Sequence, residues 1–204
     1  MNNYEQAQEL ARLHFLRYDH RVLIHRYGVR EEGKYLLFPF LGAMTRIEKD
    51  TGYITSSFDD FKTCWPADFS EAMSVYDWLC DQKPGAQASG EYGPVSALSG
   101  VYTSGGGLPM SAGKLPKSIE ENPEQFRQVM TALGGKPHPL GDLGYVLDIF
   151  PGLPMALKFY YSDEDFPAEL RLLWDSHMLD FVRYETIYYI AGVLLRRVRQ
   201  GLAS

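Results

Sequence analysis

Apolar and polar residues alternate with period two on both sides of Pro151-Gly152: Tyr145, Leu147 and Ile149 before it, then Met155, Leu157, Phe159 and Tyr161 after it. Alternation broken by a Pro/Gly pair predicts an antiparallel hairpin. Residues 162–167 form an acidic turn, after which Leu170, Leu172 and Trp174 alternate with Arg171 and Asp175 and predict a third strand. From Tyr184 the period changes. Ile187, Ile190, Ala191, Leu194, Leu195 and Val198 recur at intervals of three and four, which is one stripe along a closing helix over 183–200. Arg196, Arg197 and Arg199 fall in its last turns, where positive charge suits the carboxyl end of the helix dipole, and Gly201 is placed to end it.

Upstream, Tyr4, Ala7, Leu10, Ala11, His14 and Tyr18 share a face at helical spacing and predict a helix over 3–18, with His14 as a core histidine. Residues 34–57 read as a meander of two or three short strands, in which Pro39 demotes the first to an edge or bulged position. Asp68 followed by Glu71 is a capping box that opens a helix over 69–82 carrying Met73, Tyr76, Leu79 and Cys80. Asn122-Pro123 opens another over 123–133, closed by Gly134-Gly135. Between these two helices, residues 85–117 are rich in glycine, lack periodic hydrophobics and read as one long loop. The fold class expected is therefore α+β: antiparallel strands near 34–57 and 143–175 packed against about four helices, in a single domain spanning 1–204.

At 204 residues with 45% apolar and 14% aromatic content, the chain has ample material for a cooperative core. A net charge of −6 argues against a nucleic-acid partner, because phosphate neutralisation needs clustered Lys and Arg. Two cysteines, Cys64 and Cys80, are too few for a disulfide framework and match no zinc spacing. Neither an apolar leader nor a stretch of roughly 20 apolar residues is visible, so a soluble cytoplasmic protein with no membrane partner is expected.

Leu133-Gly134-Gly135, Gly141-Asp142, Leu153-Pro154, Asp165-Phe166-Pro167 and the run from Leu172 to Ser176 together resemble a family catalogued as domain of unknown function 3786. The resemblance runs from the first helix to the last. It implies a protein of anaerobic bacteria or archaea, in a family some of whose members carry a cysteine-rich iron–sulfur segment related to corrinoid-linked carbon metabolism. This chain has no such cysteine cluster, and the resemblance transfers no catalytic residue.

The chemistry-bearing candidates are few. Asp175 and His177, at the exit of the third strand, stand two apart and would share a side of an extended segment, as a metal site or an Asp-oriented general base requires. Asp142 or Glu185 could supply a third group; equally, Asp175 or Asp180 could cap the closing helix while His177 bonds a loop. Gly105, Gly106 and Gly107, followed by Lys114, could cradle an anion with backbone amides, although the stretch matches no phosphate-loop pattern. Trp174 with Tyr184, Tyr188 and Tyr189 could line a pocket for a flat cofactor or could simply pack. Cys64, beside Trp65-Pro66, is a candidate reactive thiol, and Cys80 belongs to the core stripe. No motif specifies a cofactor, a metal or an oligomeric state. The expectation is a non-catalytic ligand-binding or accessory module linked to anaerobic metabolism, with a small-molecule or protein partner; the alternative is a small hydrolase or lyase, with or without a metal, using Asp175 and His177.

Overall fold

The computed structural model describes residues 2–27, 29–100 and 112–204. The chain begins with helices α1 (Asn3–Arg17) and α2 (His20–Tyr27), then runs through a five-stranded antiparallel sheet in simple order: β1 (Arg30–Glu32), β2 (Tyr35–Phe40), β3 (Ala43–Glu48), β4 (Ile54–Ser57) and β5 (Trp65–Pro66). Helix α3 (Phe69–Cys80) follows, then β6 (Tyr92–Gly93), a 3-10 turn Val95–Ala97, and helices α4 (Leu115–Glu121) and α5 (Pro123–Ala132). The second sheet is completed by β7 (Lys136–Pro137), β8 (Leu143–Phe150), β9 (Leu153–Tyr160) and β10 (Glu169–Asp175), in the order β6-β10-β9-β8-β7. The short α6 (Met178–Phe181) leads into α7 (Tyr184–Leu202). The fold is α+β. Segment 85–117 is more structured than its composition suggests: it contains β6, the 3-10 turn and the start of α4.

The two sheets meet at the β2–β3 turn. Leu41 (φ 46°) and Gly42 (φ 85°) are both left-handed, the pair of conformations that a two-residue hairpin matching strand twist requires. The Leu41 N–H crosses to the Ile149 carbonyl of β8 at 2.9 Å, and Phe40 stacks on Phe150 at 4.5 Å with 7° between planes. Trp78 of α3 stacks on Phe150 at 4.5 Å, so these three rings join both sheets and α3. All three are fully buried, and each contributes about 1.5–3 kcal/mol relative to exposure.

The β8–β9 hairpin forms as its alternation predicts, with Tyr145, Leu147 and Ile149 buried and Gly152 at φ 78° in the turn. Pro39 lies inside the sheet order, yet β1 pairs β2 only from Tyr35 to Leu37, so among the described residues the missing N–H faces no strand. The α1 face is different from that expected: Tyr4, Leu10 and His14 are exposed, and Phe15 alone is fully buried there, stacked on His20 at 4.4 Å. The α7 stripe is buried throughout, but Arg197 is buried with it, at 5% exposure, instead of standing in water at the helix end. Gly201 lies within α7; a Cβ there would come within 2.6 Å of Val129 of α5, so close helix packing explains it and not chain termination.

Candidate functional site

Asp175 is fully buried, and its carboxylate is consumed by the backbone. Oδ1 accepts the amides of Ser89 (3.0 Å) and His177 (2.9 Å), and Oδ2 accepts that of Gly90 (2.8 Å). Burial pushes this carboxyl up, but those amides outweigh it and hold it below the usual range. His177 is exposed, and its Nδ1 lies 2.9 Å from the Gln87 carbonyl, a contact that places the proton on Nδ1. The pair therefore pins segment 87–90 to the end of β10. Asp142 is at the other end of the sheet: its Oδ2 accepts the Tyr161 amide at 2.8 Å, whereas β10 pairs Trp174 with Met155. Six residues of β9 separate the two ends, about 20 Å of strand, so Asp142 does not join Asp175 and His177. Glu185 is exposed at the start of α7, and Asp180 pairs with Lys83 at 2.7 Å. Neither caps α7. Among the described residues, no three His, Cys, Asp or Glu side chains stand together in a way that could hold a metal ion.

Removing the Asp175 carboxylate as Asp175→Ala should cost about 1–3 kcal/mol by orphaning three amides. Hydrogen exchange should then accelerate at Ser89 and Gly90, and unchanged protection at those two amides would contradict the role assigned.

Gly105, Gly106 and Gly107 lie outside the described residues. Lys114 is exposed and immediately precedes α4. Of the aromatic set, Tyr184 and Tyr188 meet. Trp174 is fully buried, with an indole N–H that finds no partner among the described residues; Tyr184 and Tyr188 bond each other at 2.6 Å; Tyr189 packs edge-on against Phe69. Burial, helped by Tyr184, pushes the Tyr188 phenol up to about 12. Cys64 is exposed and Cys80 buried, as the helix stripe required.

The structure concentrates buried charge elsewhere, where α7 crosses the start of α3. Asp68 and Glu71 form the capping box: Asp68 accepts the Glu71 amide at 2.9 Å and Glu71 returns a bond to the Asp68 amide. One carboxylate oxygen of Glu71 also accepts Nη2 of Arg197 at 3.0 Å, and both residues are nearly inaccessible. Arg197 Nη1 donates to the carbonyls of Phe40 (2.5 Å) and Leu41 (2.8 Å), the residues at the junction of the sheets. Its guanidinium stands over the rings of Phe40, Phe58 and Trp65 at 5.1, 5.6 and 5.9 Å. Burial pushes its pKa down and Glu71 opposes that. Arg196 reaches Asp68 at 2.5 Å from the solvent side. These groups, with Phe58, Trp65, Pro66 and Gln200, line a cleft of about 300 Å³.

The outer wall of this cleft belongs to the β4–β5 loop. Ser57 Oγ donates to Asp59 at 2.8 Å and accepts the amides of Asp59 (3.0 Å) and Phe61 (2.9 Å), while Asp59 also accepts the Thr63 amide at 2.8 Å. That amide, followed by the Ser57 hydroxyl, holds the Asp59 carboxyl below its usual range. Asp60 (φ 54°) and Phe61 (φ 62°) are consecutive left-handed residues, a strained arrangement for non-glycines and most so for a bulky ring. Helix periodicity did carry a signal for Arg197, which stands three residues after Leu194 on the buried stripe; the loop carried none.

The sequence matches the family described as Domain of unknown function (DUF3786) over residues 19–197. The chain belongs to the DUF3786 family. No curated protein and no solved structure matches it. The DUF3786 match begins near α2 and ends on Arg197 itself, so it takes in both sheets and the whole cleft except Gln200. No helix among the described residues is long and apolar enough to cross a membrane.

Proposed function

We propose that this chain is a non-catalytic ligand-binding module of the cytoplasm, and that its ligand occupies the cleft of Phe58, Trp65, Glu71, Arg196 and Arg197. The observation that carries the reading is the ion pair of Arg197 and Glu71 in the cleft wall. A buried ion pair is costly to desolvate, and apolar residues of similar volume are often at least as stabilising. Departures from the best local packing concentrate at functional sites. Two ring faces and a fixed guanidinium suit a planar heterocycle, and a volume of about 300 Å³ is at the small end for ligand pockets, matching one ring system or one edge of a larger ligand. The net charge of −6 favours a small-molecule or protein partner over nucleic acid.

A link to anaerobic metabolism rests on the family resemblance alone, and it motivates including corrinoids among the probes. The hydrolase or lyase alternative draws no support, since Asp175 spends its lone pairs on backbone amides and does not orient His177. The test is a thermal-shift screen of the purified chain against AMP, FMN and cobalamin. A ligand at 100 times its dissociation constant adds about 2.7 kcal/mol of stability, and that shift should vanish in Trp65→Ala. Absence of a shift with all three, or a shift that survives Trp65→Ala, counts against the cleft as the binding site.

A further inference from the structure

A second concavity, of about 430 Å³, opens between β1–β3 and the far side of the β4–β5 loop. Its walls include the rings of Tyr35 and Phe61, with Leu37 and Met44 between them. The Arg46 guanidinium stands over both rings, 4.6 Å from the Tyr35 centroid and 4.3 Å from that of Phe61, and Nε donates to Thr55 Oγ1 at 2.9 Å. Two rings therefore hold the guanidinium and one edge is anchored, but the terminal nitrogens make no hydrogen bond or ion pair with a described residue. Eight other arginines of the chain are engaged differently: Arg12, Arg21, Arg30, Arg127, Arg171, Arg183, Arg196 and Arg197 each hold a carboxylate.

Asp60 lines the same concavity, and its carboxylate also has no hydrogen bond or ion pair among the described residues. The other charges nearby are satisfied: Arg30 faces Glu32 at 3.5 Å, and Glu48 holds Lys34 and accepts the Thr51 hydroxyl at 2.6 Å. A cation and an anion thus share one small pocket without pairing with each other. Each is fixed by something independent: Arg46 by the two rings and Thr55, Asp60 by the left-handed backbone that the Ser57 and Asp59 hydrogen bonds maintain. A stacked guanidinium has lost hydration from its faces and binds through its edge, the geometry that takes a carboxylate in two parallel bonds.

We infer that this pocket is a binding site for a small zwitterion, an α-amino acid with an apolar side chain. Its carboxylate meets the free edge of Arg46, its ammonium meets Asp60, and its side chain lies against Leu37 and Met44 between the rings. The inference does not rest on the cleft at Arg197. Isothermal titration of the full chain with L-leucine, L-methionine and L-phenylalanine should give saturable binding of at least one. The matching acid without the amine and the matching amide without the carboxylate should each bind about tenfold or more weakly. Arg46→Gln and Asp60→Asn should each weaken binding to a similar degree while circular dichroism stays that of the wild type. Should Arg46→Gln misfold, Arg46→Lys keeps the charge and loses the fork, and the analogue comparison on the wild type decides independently. No saturable binding by any of the three amino acids, equal binding of either analogue, or wild-type affinity in both variants overturns the assignment.

Discussion

Arg197→Met is expected to lower folding stability by about 3–5 kcal/mol, the range for removing one partner of a buried ion pair. The change leaves Glu71, 3% exposed, with the capping bond from the Asp68 amide (3.3 Å), the long bond from Trp65 Nε1 (3.4 Å) and the half-exposed Arg196 (3.4 Å) to offset its charge. It also strips the Phe40 and Leu41 carbonyls of their side-chain donor at the point where the sheets join. Leu41 is held in a left-handed conformation there, so the turn loses a restraint along with a hydrogen bond. Pairing the change with Glu71→Leu separates the two costs. The double variant should recover the part due to an uncompensated carboxylate, yet remain below the wild type by about 1–3 kcal/mol for the carbonyls left without a donor. Urea unfolding of the two single variants and the double variant measures both quantities. A single Arg197→Met variant within about 1 kcal/mol of the wild type, the ordinary size of a substitution, would mean that the pair does not hold the junction.

Much of the architecture was legible because it rests on short-range rules. The β8–β9 hairpin is written as alternation around Pro151-Gly152, α3 as a capping box at Asp68 and Glu71, and α5 as proline at its first position with Gly134 (φ 80°) after its end. What failed did so for identifiable reasons. The two-residue rule that puts His177 beside Asp175 holds only on extended backbone; β10 ends at Asp175, and His177 sits at φ −96°, ψ 13°. Helical spacing places His14 in the core, but α1 docks through Phe15, one residue further round, and spacing alone does not say which of two weakly apolar faces will find a partner. The acidic and aromatic residues of the β4–β5 loop carry no period at all, since two left-handed non-glycines and a serine-centred turn fix them. The pairing of Arg197 with Glu71 spans 126 residues, beyond any local pattern.

The second large effect concerns the start of α7, where Arg183, the residue before the helix, offers no side-chain cap. Asp77 of α3 supplies one from across the interface: it is fully buried, and accepts the Arg183 amide at 2.8 Å, Arg183 Nε at 2.5 Å and Thr186 Oγ1 at 2.5 Å. Burial pushes this carboxyl up, but bonds from Asp81, Thr186 and Arg183 bring it below its ordinary value, as suits an anion at a helix amino terminus. One turn on, Asp81 behaves oppositely. Burial and the hydrogen bond it shares with Asp77 push it up to about 6, against the pull of Arg183 and His14. Asp77→Ala should therefore cost about 3 kcal/mol, the value of one or two charge-assisted hydrogen bonds left unmade. Asp81→Asn should do no such harm, because asparagine keeps a donor toward Asp77 as the protonated acid does. The pH dependence separates the two residues. Asp81 is raised above its unfolded value of 3.8, so its contribution is complete below that pH and disappears as pH rises through about 6. Asp77 is lowered, so its contribution is present above its unfolded value of 3.8 and is lost only as pH falls through its folded pKa. Between those limits, wild-type stability measured against Asp81→Asn should fall with rising pH, leaving the asparagine variant equal or superior at pH about 7.5. Urea unfolding at several pH values checks this, and an Asp81→Asn protein that is less stable at neutral pH, with an unchanged profile below it, would show that the two carboxyls do not share a proton.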